Sequence, residues 1–283
     1  MRWVGARAED ATLAAITLAG LGILLTPLLV RSSVSQSTAL LTALIALAAL
    51  LAVGIALQTR QLSARLLAIL AALIAVDAAL RLVIVVGLLG FSPIFFLIIA
   101  GGYVMGPAFG FSLGALTLLL SAVLTAGFGP WLPYQMLGCG WVGMGAGYLA
   151  KFRSPATAYA RRPLWTVVWL GLYGAVAGFG YGLLLDLWEW PLLLGAASSS
   201  IAWAPGLSPS QLALRFATFY LTTSFVYDSF RAAGNVALVW ALGAPVIGAL
   251  HRFRRRFLVQ WSQPPEAVQE LPIKIANDVG TPA

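Results

Sequence analysis

Charge is scarce in this sequence. Asp, Glu, Lys and Arg together make up 9% of the 283 residues, against 60% hydrophobic. An ordinary soluble domain is about a quarter charged, so this chain cannot cover a globule of its size with polar surface, and lipid is its expected solvent. Cysteine and histidine are nearly absent as well. Cys139 stands alone, which excludes a disulfide within the chain and any cysteine-cluster metal site; it reads as a small buried packing residue. With His251 the one histidine and the carboxylates scattered, no ligand set of zinc spacing exists. A Walker A pattern is missing and no dinucleotide fingerprint follows a strand pattern, so the chain is not expected to bind nucleotide by itself. No metal and no cofactor are expected.

The segment "GFSLG" at 110 to 114 matches a nucleophile elbow around Ser112. That motif needs a strand-to-helix turn or, in an intramembrane serine protease, a histidine at the same depth. His251 instead heads an arginine cluster with no carboxylate placed to orient it, so no catalytic residue is assigned. The net charge of +8 is not a nucleic-acid footprint either. The basic residues lie where apolar runs end, in "KFRSPATAYARR" and "HRFRRR", which is the positive-inside pattern and an attraction to anionic headgroups.

What the sequence has in abundance is long apolar runs. A helix rising about 1.5 Å per residue needs roughly 20 apolar residues to cross a hydrocarbon core of ~30 Å. Candidate helices are 12 to 30, 38 to 57, 65 to 89, 92 to 106, 108 to 127, 133 to 150, 164 to 187, and a long stretch from 211 to 251. Alternating strand patterns are missing, so the expected fold is an all-α, polytopic transmembrane helical bundle. The first run follows Arg2 and Arg7 but lacks a small-x-small cleavage pattern, and reads as a mature helix rather than a signal peptide. Placing the basic loops around Arg60 and Arg65, at 151 to 162 and at 252 to 256 on the cytoplasmic side requires 211 to 251 to cross once. It also requires 92 to 127 to cross twice around the turn "GPAFG". The count is then about eight spans with both termini cytoplasmic.

Small residues recur at four-residue spacing: Gly102, Gly106, Gly110 and Gly114; Gly143 and Gly147; Gly174, Gly178 and Gly182. Such ladders let helix backbones approach closely where lipid supplies no hydrophobic drive. Ala64, Ala68 and Ala72, with Ala71, Ala75 and Ala79 beside them, form a flat face that would suit a second membrane subunit. Ligand candidates follow from polar and aromatic groups at membrane depth. Trp131, Tyr134, Gln135 and Trp141 begin the helix opened by Pro130 and Pro133, and combine aromatic walls with hydrogen-bonding groups. Asn235 can both donate and accept inside a span. Arg81 lies in the outer half of its helix, four residues from Asp77, with which it can pair. The loop from 188 to 210, carrying Trp188, Trp190 and Trp203, reads either as an aromatic belt or as a lid over a cavity.

The segment "SPIFFLIIAGGYVMGPAFGFSLGALTLLLSAVLTAGFGPWLPYQMLGCGWVGMGAGYL", with the final "RAAGNVALVWALGAPVIGALHRFRRR", resembles the substrate-binding S components of energy-coupling factor (ECF) transporters. These are vitamin importers of prokaryotes, and the resemblance spans about residues 65 to 256. It implies a six-helix core over 63 to 256, two extra N-terminal helices within 1 to 62, and a cytoplasmic, disordered tail over 257 to 283. It further implies a multi-pass protein of a prokaryotic cell membrane that captures a vitamin or precursor on the outer face, such as cobalamin, a thiamin precursor or riboflavin. Delivery would follow docking on a transmembrane coupling subunit driven by two ATPase subunits. Ala64, Ala68, Ala72, Ala75 and Ala79 correspond to the docking face of that family, and Arg81, Trp131, Tyr134, Gln135, Trp141, Trp188, Trp203 and Asn235 are the candidate ligand contacts. A solitary secondary permease, an intramembrane protease and a purely structural membrane subunit are the rival readings.

Overall fold

A computed structural model describes residues 2–29, 43, 44, 46, 47, 50, 54, 64–84, 93–153, 163–193 and 200–258. Among them are eight helices and no strand: α1 (Arg2–Leu29), α2 (Ala64–Ile84), α3 (Ile94–Met105), α4 (Pro107–Thr125), α5 (Leu132–Arg153), α6 (Pro163–Leu193), α7 (Pro209–Thr223) and α8 (Phe225–Leu258). Three helices are long and apolar enough to cross a membrane, over Pro107–Thr125, Leu164–Pro191 and Phe225–Arg256, and two shorter apolar ones run over Asp10–Leu25 and Ile94–Met105. The outward side chains agree with a lipid environment: Leu18 is 71% exposed, Leu164 77% and Val176 71%. The expected helix over 38 to 57 and the tail beyond 258 lie, apart from six isolated helical positions in the former, outside the described residues. So do 85 to 89 of the first core span, Arg60, and 154 to 162 of the basic loop.

The stretch 211 to 251 is not one helix but parts of two. A capping box opens α7: the Gln211 amide N–H donates to Ser208 Oγ (3.3 Å), the Ser208 N–H donates to Gln211 Oε1 (3.0 Å), and Pro209 occupies the first helical position. At its far end Thr222 and Thr223 donate their hydroxyls back to the Phe219 carbonyl at 3.1 and 2.7 Å. Such back-bonding competes with the helical ladder, and the chain turns at Ser224 into α8. Only α8 is long and apolar enough to cross.

The short helix α3 occupies the centre of the bundle. Ten of its twelve residues are buried, and it packs against α2, α4, α5, α6 and α8. Being apolar on every face, it can be covered only by other helices. At its C-terminal end Gly106 alone separates it from α4. Gly106 has φ 108° and ψ 173°, a conformation closed to L side chains, and Pro107 starts the next helix at no hydrogen-bonding cost. The glycine ladders then bring α3, α4 and α5 into backbone contact. A Cβ added at Gly102 or Gly110 would land on the Gly143 carbonyl, one at Gly114 on the Cys139 carbonyl, and one at Gly147 on the Gly106–Pro107 peptide. Along α6 the ladder faces α8 antiparallel: Gly174 lies against Asn235, Gly178 against Ala232 and Gly182 against the Asp228 carboxylate.

Lys151 and the arginines from Arg252 to Arg256 gather at the end of the bundle marked by the Gly106 turn, whereas Arg81, Arg215 and Arg231 lie toward the other end. Arg254 Nη1 donates to the Val104 carbonyl at 2.6 Å, and Lys151 Nζ pairs with Asp10 at 2.9 Å. At the opposite end stand Trp131, Trp188, Trp190 and Trp203, at the helix ends and loops there.

Candidate functional site

A twelve-residue helix rises about 18 Å, well short of a ~30 Å hydrocarbon core. Because the Gly106 turn fixes the C-terminal end of α3 near the basic end, the shortfall appears at its N-terminus, where a cavity of about 150 Å³ opens. Ile94 and Phe95 of α3 form one side of it. The others are Arg81 near the end of α2, Leu118 of α4, Gln135 and Cys139 of α5, Tyr181 and Leu185 of α6, and Arg231 of α8. Tyr181 is held edge-on to Phe95 at 5.1 Å between ring centroids.

Its two arginines differ. Arg231 is neutralised by an ion pair with Asp228, three residues earlier on α8, and lies over the Tyr181 ring at 5.2 Å. Asp228 is buried and also accepts from the Tyr220 hydroxyl at 3.1 Å, so α7 helps hold it in place. Arg81 makes no hydrogen bond or ion pair with a described residue. The i,i+4 pair with Asp77 that the spacing suggests is not formed; the ion pairs among the described residues are Asp10–Lys151 and Asp228–Arg231. Arg81 extends to the cavity, and Asp77 stays fully buried with neither carboxylate oxygen hydrogen-bonded. The Gln135 side-chain amide is likewise free of a described partner.

Of the eight ligand candidates, the cavity brings together Arg81 and Gln135. Tyr134 and Trp188 stack on each other, with centroids 4.2 Å apart, and pack with Leu24, bolting α1 to the core. Trp141 is half-buried against α1, where its ring meets Gly20, and its indole N–H has no acceptor. Trp203 belongs to a cluster with Trp190 and Phe219 that fastens the 200 to 208 segment: Trp190 Nε1 donates to the Ile201 carbonyl at 2.9 Å and Arg215 Nη1 to the Ala202 carbonyl at 3.1 Å. None of the described residues of that loop lines the cavity, and 194 to 199 lie outside the described set. Trp131 is 43% exposed at the bundle's rim. Asn235 is buried and donates to the Gly174 carbonyl at 2.9 Å, tying α8 to α6.

No family model matches the chain. Nor does any curated protein or any solved structure show significant similarity to it.

Sequence reasoning did not single out Arg231, Tyr181 or Cys139 as cavity residues. A signal for Cys139 was present, since it lies four residues after Gln135 and therefore on the same helix face. Arg231 was legible, with Arg215, Asp228 and Asn235, as a polar group on a helix that starts outside the bilayer or in a wet cavity, but not as a ligand contact. Ser112 lies within α4 and is buried, in a helix rather than a strand-to-helix elbow. The alanines Ala64, Ala68, Ala72, Ala75 and Ala79 are all exposed, next to exposed Val76 and Leu80, on a side of α2 that no described element covers.

Proposed function

We propose that this chain is the substrate-binding subunit of an ECF-type importer: a non-catalytic, multi-pass protein of a prokaryotic cell membrane, with about eight spans and both termini cytoplasmic. The observation that carries this reading is the cavity at the end of the bundle remote from Arg254 and Lys151. Under the positive-inside rule the basic end is cytoplasmic, so the cavity faces outward, where an importer collects its solute. Unpartnered hydrogen-bonding groups set among apolar and aromatic side chains are what a ligand site needs. The bare alanine face of α2 supports docking on a transmembrane coupling subunit, with two ATPase subunits driving release, because small residues permit close helix approach. Vitamins and their precursors are the substrate class that goes with this reading.

The test is purification in mild detergent with mass spectrometry of the associated small molecules and proteins. A small organic ligand and ATPase subunits should accompany the protein. Gln135→Ala should weaken binding of the ligand by about five-fold to more than a hundred-fold, the effect of losing a polar contact of roughly 1–3 kcal/mol, without altering assembly. Unchanged affinity would move the site elsewhere.

A solitary secondary permease is the second reading, and Asp77 is the observation that favours it. A buried, unpaired carboxylate within a span is a recurrent feature of ion-coupled carriers. Uptake into vesicles that hold this protein alone, driven by an ion gradient, would decide for the permease.

A further inference from the structure

The two arginines at the cavity are held differently, and the difference points to the ligand. Arg231 has its counter-ion in contact in Asp228, while Arg81 reaches the same space with no ion pair or hydrogen bond to a described residue, the Asp77 carboxylate four positions before it being buried out of contact. A guanidinium at membrane depth is costly unless it is paired. The N-terminal turn of α3 opens into the cavity beside it, with no side-chain hydrogen bond capping it at Pro93, and so adds positive partial charge of its own. Around this positive region the wall is apolar or aromatic: Ile94, Phe95, Leu118 and Leu185.

We propose that the cavity binds the carboxylate of a small organic acid, with the Arg81 guanidinium as its counter-ion, the Gln135 amide as a second donor, and the apolar wall around the acid's hydrocarbon part. One guanidinium without a contact partner suits one negative charge, and a dianionic phosphate would bring a second charge that no free cation among the described cavity residues meets. Planar guanidinium and planar carboxylate also fit as a two-pronged pair. A volume of about 150 Å³ sets the scale, since an apolar cavity of that size holds benzene. The acid, or the acidic end of a longer molecule, is therefore no bulkier than a single ring. This inference deepens the binding reading above and rests on the same cavity, but it does not depend on how transport is powered.

The experiment compares acids with their neutral amides on the full-length protein in detergent, after exhaustive dialysis: benzoate against benzamide, butyrate against butyramide, acetate against acetamide. Binding is measured by equilibrium dialysis of the radiolabelled compounds, and phenyl phosphate is included as the dianion. At least one acid should bind ten-fold or more tightly than its amide, and benzoate more tightly than phenyl phosphate. Arg81→Met should erase the acid preference while leaving amide binding in place, and Arg81→Lys should reduce the preference without reversing it. The Lys variant keeps the charge, so it supplies the comparison if the Met variant does not elute as a single species. The proposal fails if no acid is preferred over its amide, if phenyl phosphate is preferred over benzoate, or if the preference survives in Arg81→Met. Absence of copurifying ATPases would count against the ECF reading alone and leave this result standing.

Discussion

The seam joining α3, α4 and α5 and the seam joining α6 and α8 are written in the same code, glycine every fourth residue, yet they are different structures. In the first, Gly102 and Gly110 close on the Gly143 carbonyl and Gly114 on the Cys139 carbonyl, backbone against backbone. In the second, the room left by Gly174, Gly178 and Gly182 is filled by Asn235, Ala232 and Asp228 of α8. Small residues therefore do two jobs here. One seam is a dry weld at the centre of the bundle; the other makes space for polar groups and leads to the cavity, because Asp228 holds the Arg231 that lines it.

The weld should be the less forgiving. At Gly110 an added methyl would meet a carbonyl that belongs to a neighbouring helix and cannot rotate away, so α4 and α5 must separate. Overpacking a core ordinarily costs about 1–3 kcal/mol, and a collision with rigid backbone belongs at or above the upper end. Gly110→Ala or Gly143→Ala should lower the detergent melting temperature by about 5 °C or more, or remove the monodisperse species on size exclusion. A melting temperature within a degree of the parent would mean that the two seams do not differ in kind.

Gly182→Ala tests the other side of the comparison. Its methyl would meet the Asp228 carboxylate, a side chain rather than fixed backbone, which can give way only by loosening its bonds to Arg231 and Tyr220. Stability should fall by about 1–3 kcal/mol, the ordinary range for overpacking, while ligand affinity changes several-fold because Arg231 loses the geometry of its counter-ion. The diagnostic is the ratio: a binding defect larger than the stability defect, the reverse of what Gly110→Ala gives. Equal loss of both would make the α6–α8 seam a second weld.

How much of this was legible in the sequence follows from the same contrast. The GP turn, the helix order and the glycine ladders could be read because each is a local pattern with a local cause. What a ladder faces could not, because the filler of Gly182 comes from 46 positions further along the chain. The aromatic candidates fall outside the cavity for a related reason. Tyr134, Trp188 and Trp203 are as suited to packing as to ligand contact, and their partners, Leu24 of α1 and the Trp190 cluster, lie on other elements. Arg81 and Gln135 were legible since a long polar side chain at membrane depth has few ways to be satisfied. The stretch 211 to 251 could be read as long enough for two short crossings or one long, broken one, but the place of the break could not, because Thr222, Thr223 and Ser224 include no glycine or proline; the threonine hydroxyls compete for carbonyls instead.

The smallest effect belongs to a contact that uses neither glycine nor burial, and it calibrates the other two. Asp10, ahead of the 12 to 30 span, accepts from Lys151 Nζ at 2.9 Å and from the Tyr148 hydroxyl at 3.0 Å, joining α1 to the end of α5. The hydrogen bond from Lys151 holds its carboxyl below the ordinary value of 3.8, against a smaller opposing push from burial. A depressed folded-state pKa stabilises above the unfolded value and ceases to do so as pH falls through the folded one. The contribution is thus complete at pH 7 and is lost on acidification, as pH falls through the lowered folded-state value. The pair's side chains are 44% and 46% exposed, so solvent screens it and about 0.2–1 kcal/mol is expected. Asp10→Asn should lower the melting temperature by about 1–2 °C at pH 7. The difference should shrink in 1 M salt, where the screening length is about 3 Å, and close on acidification. A drop as large as that of Gly110→Ala, or one unchanged by salt, would mean that α1 is welded to the core rather than clipped to it.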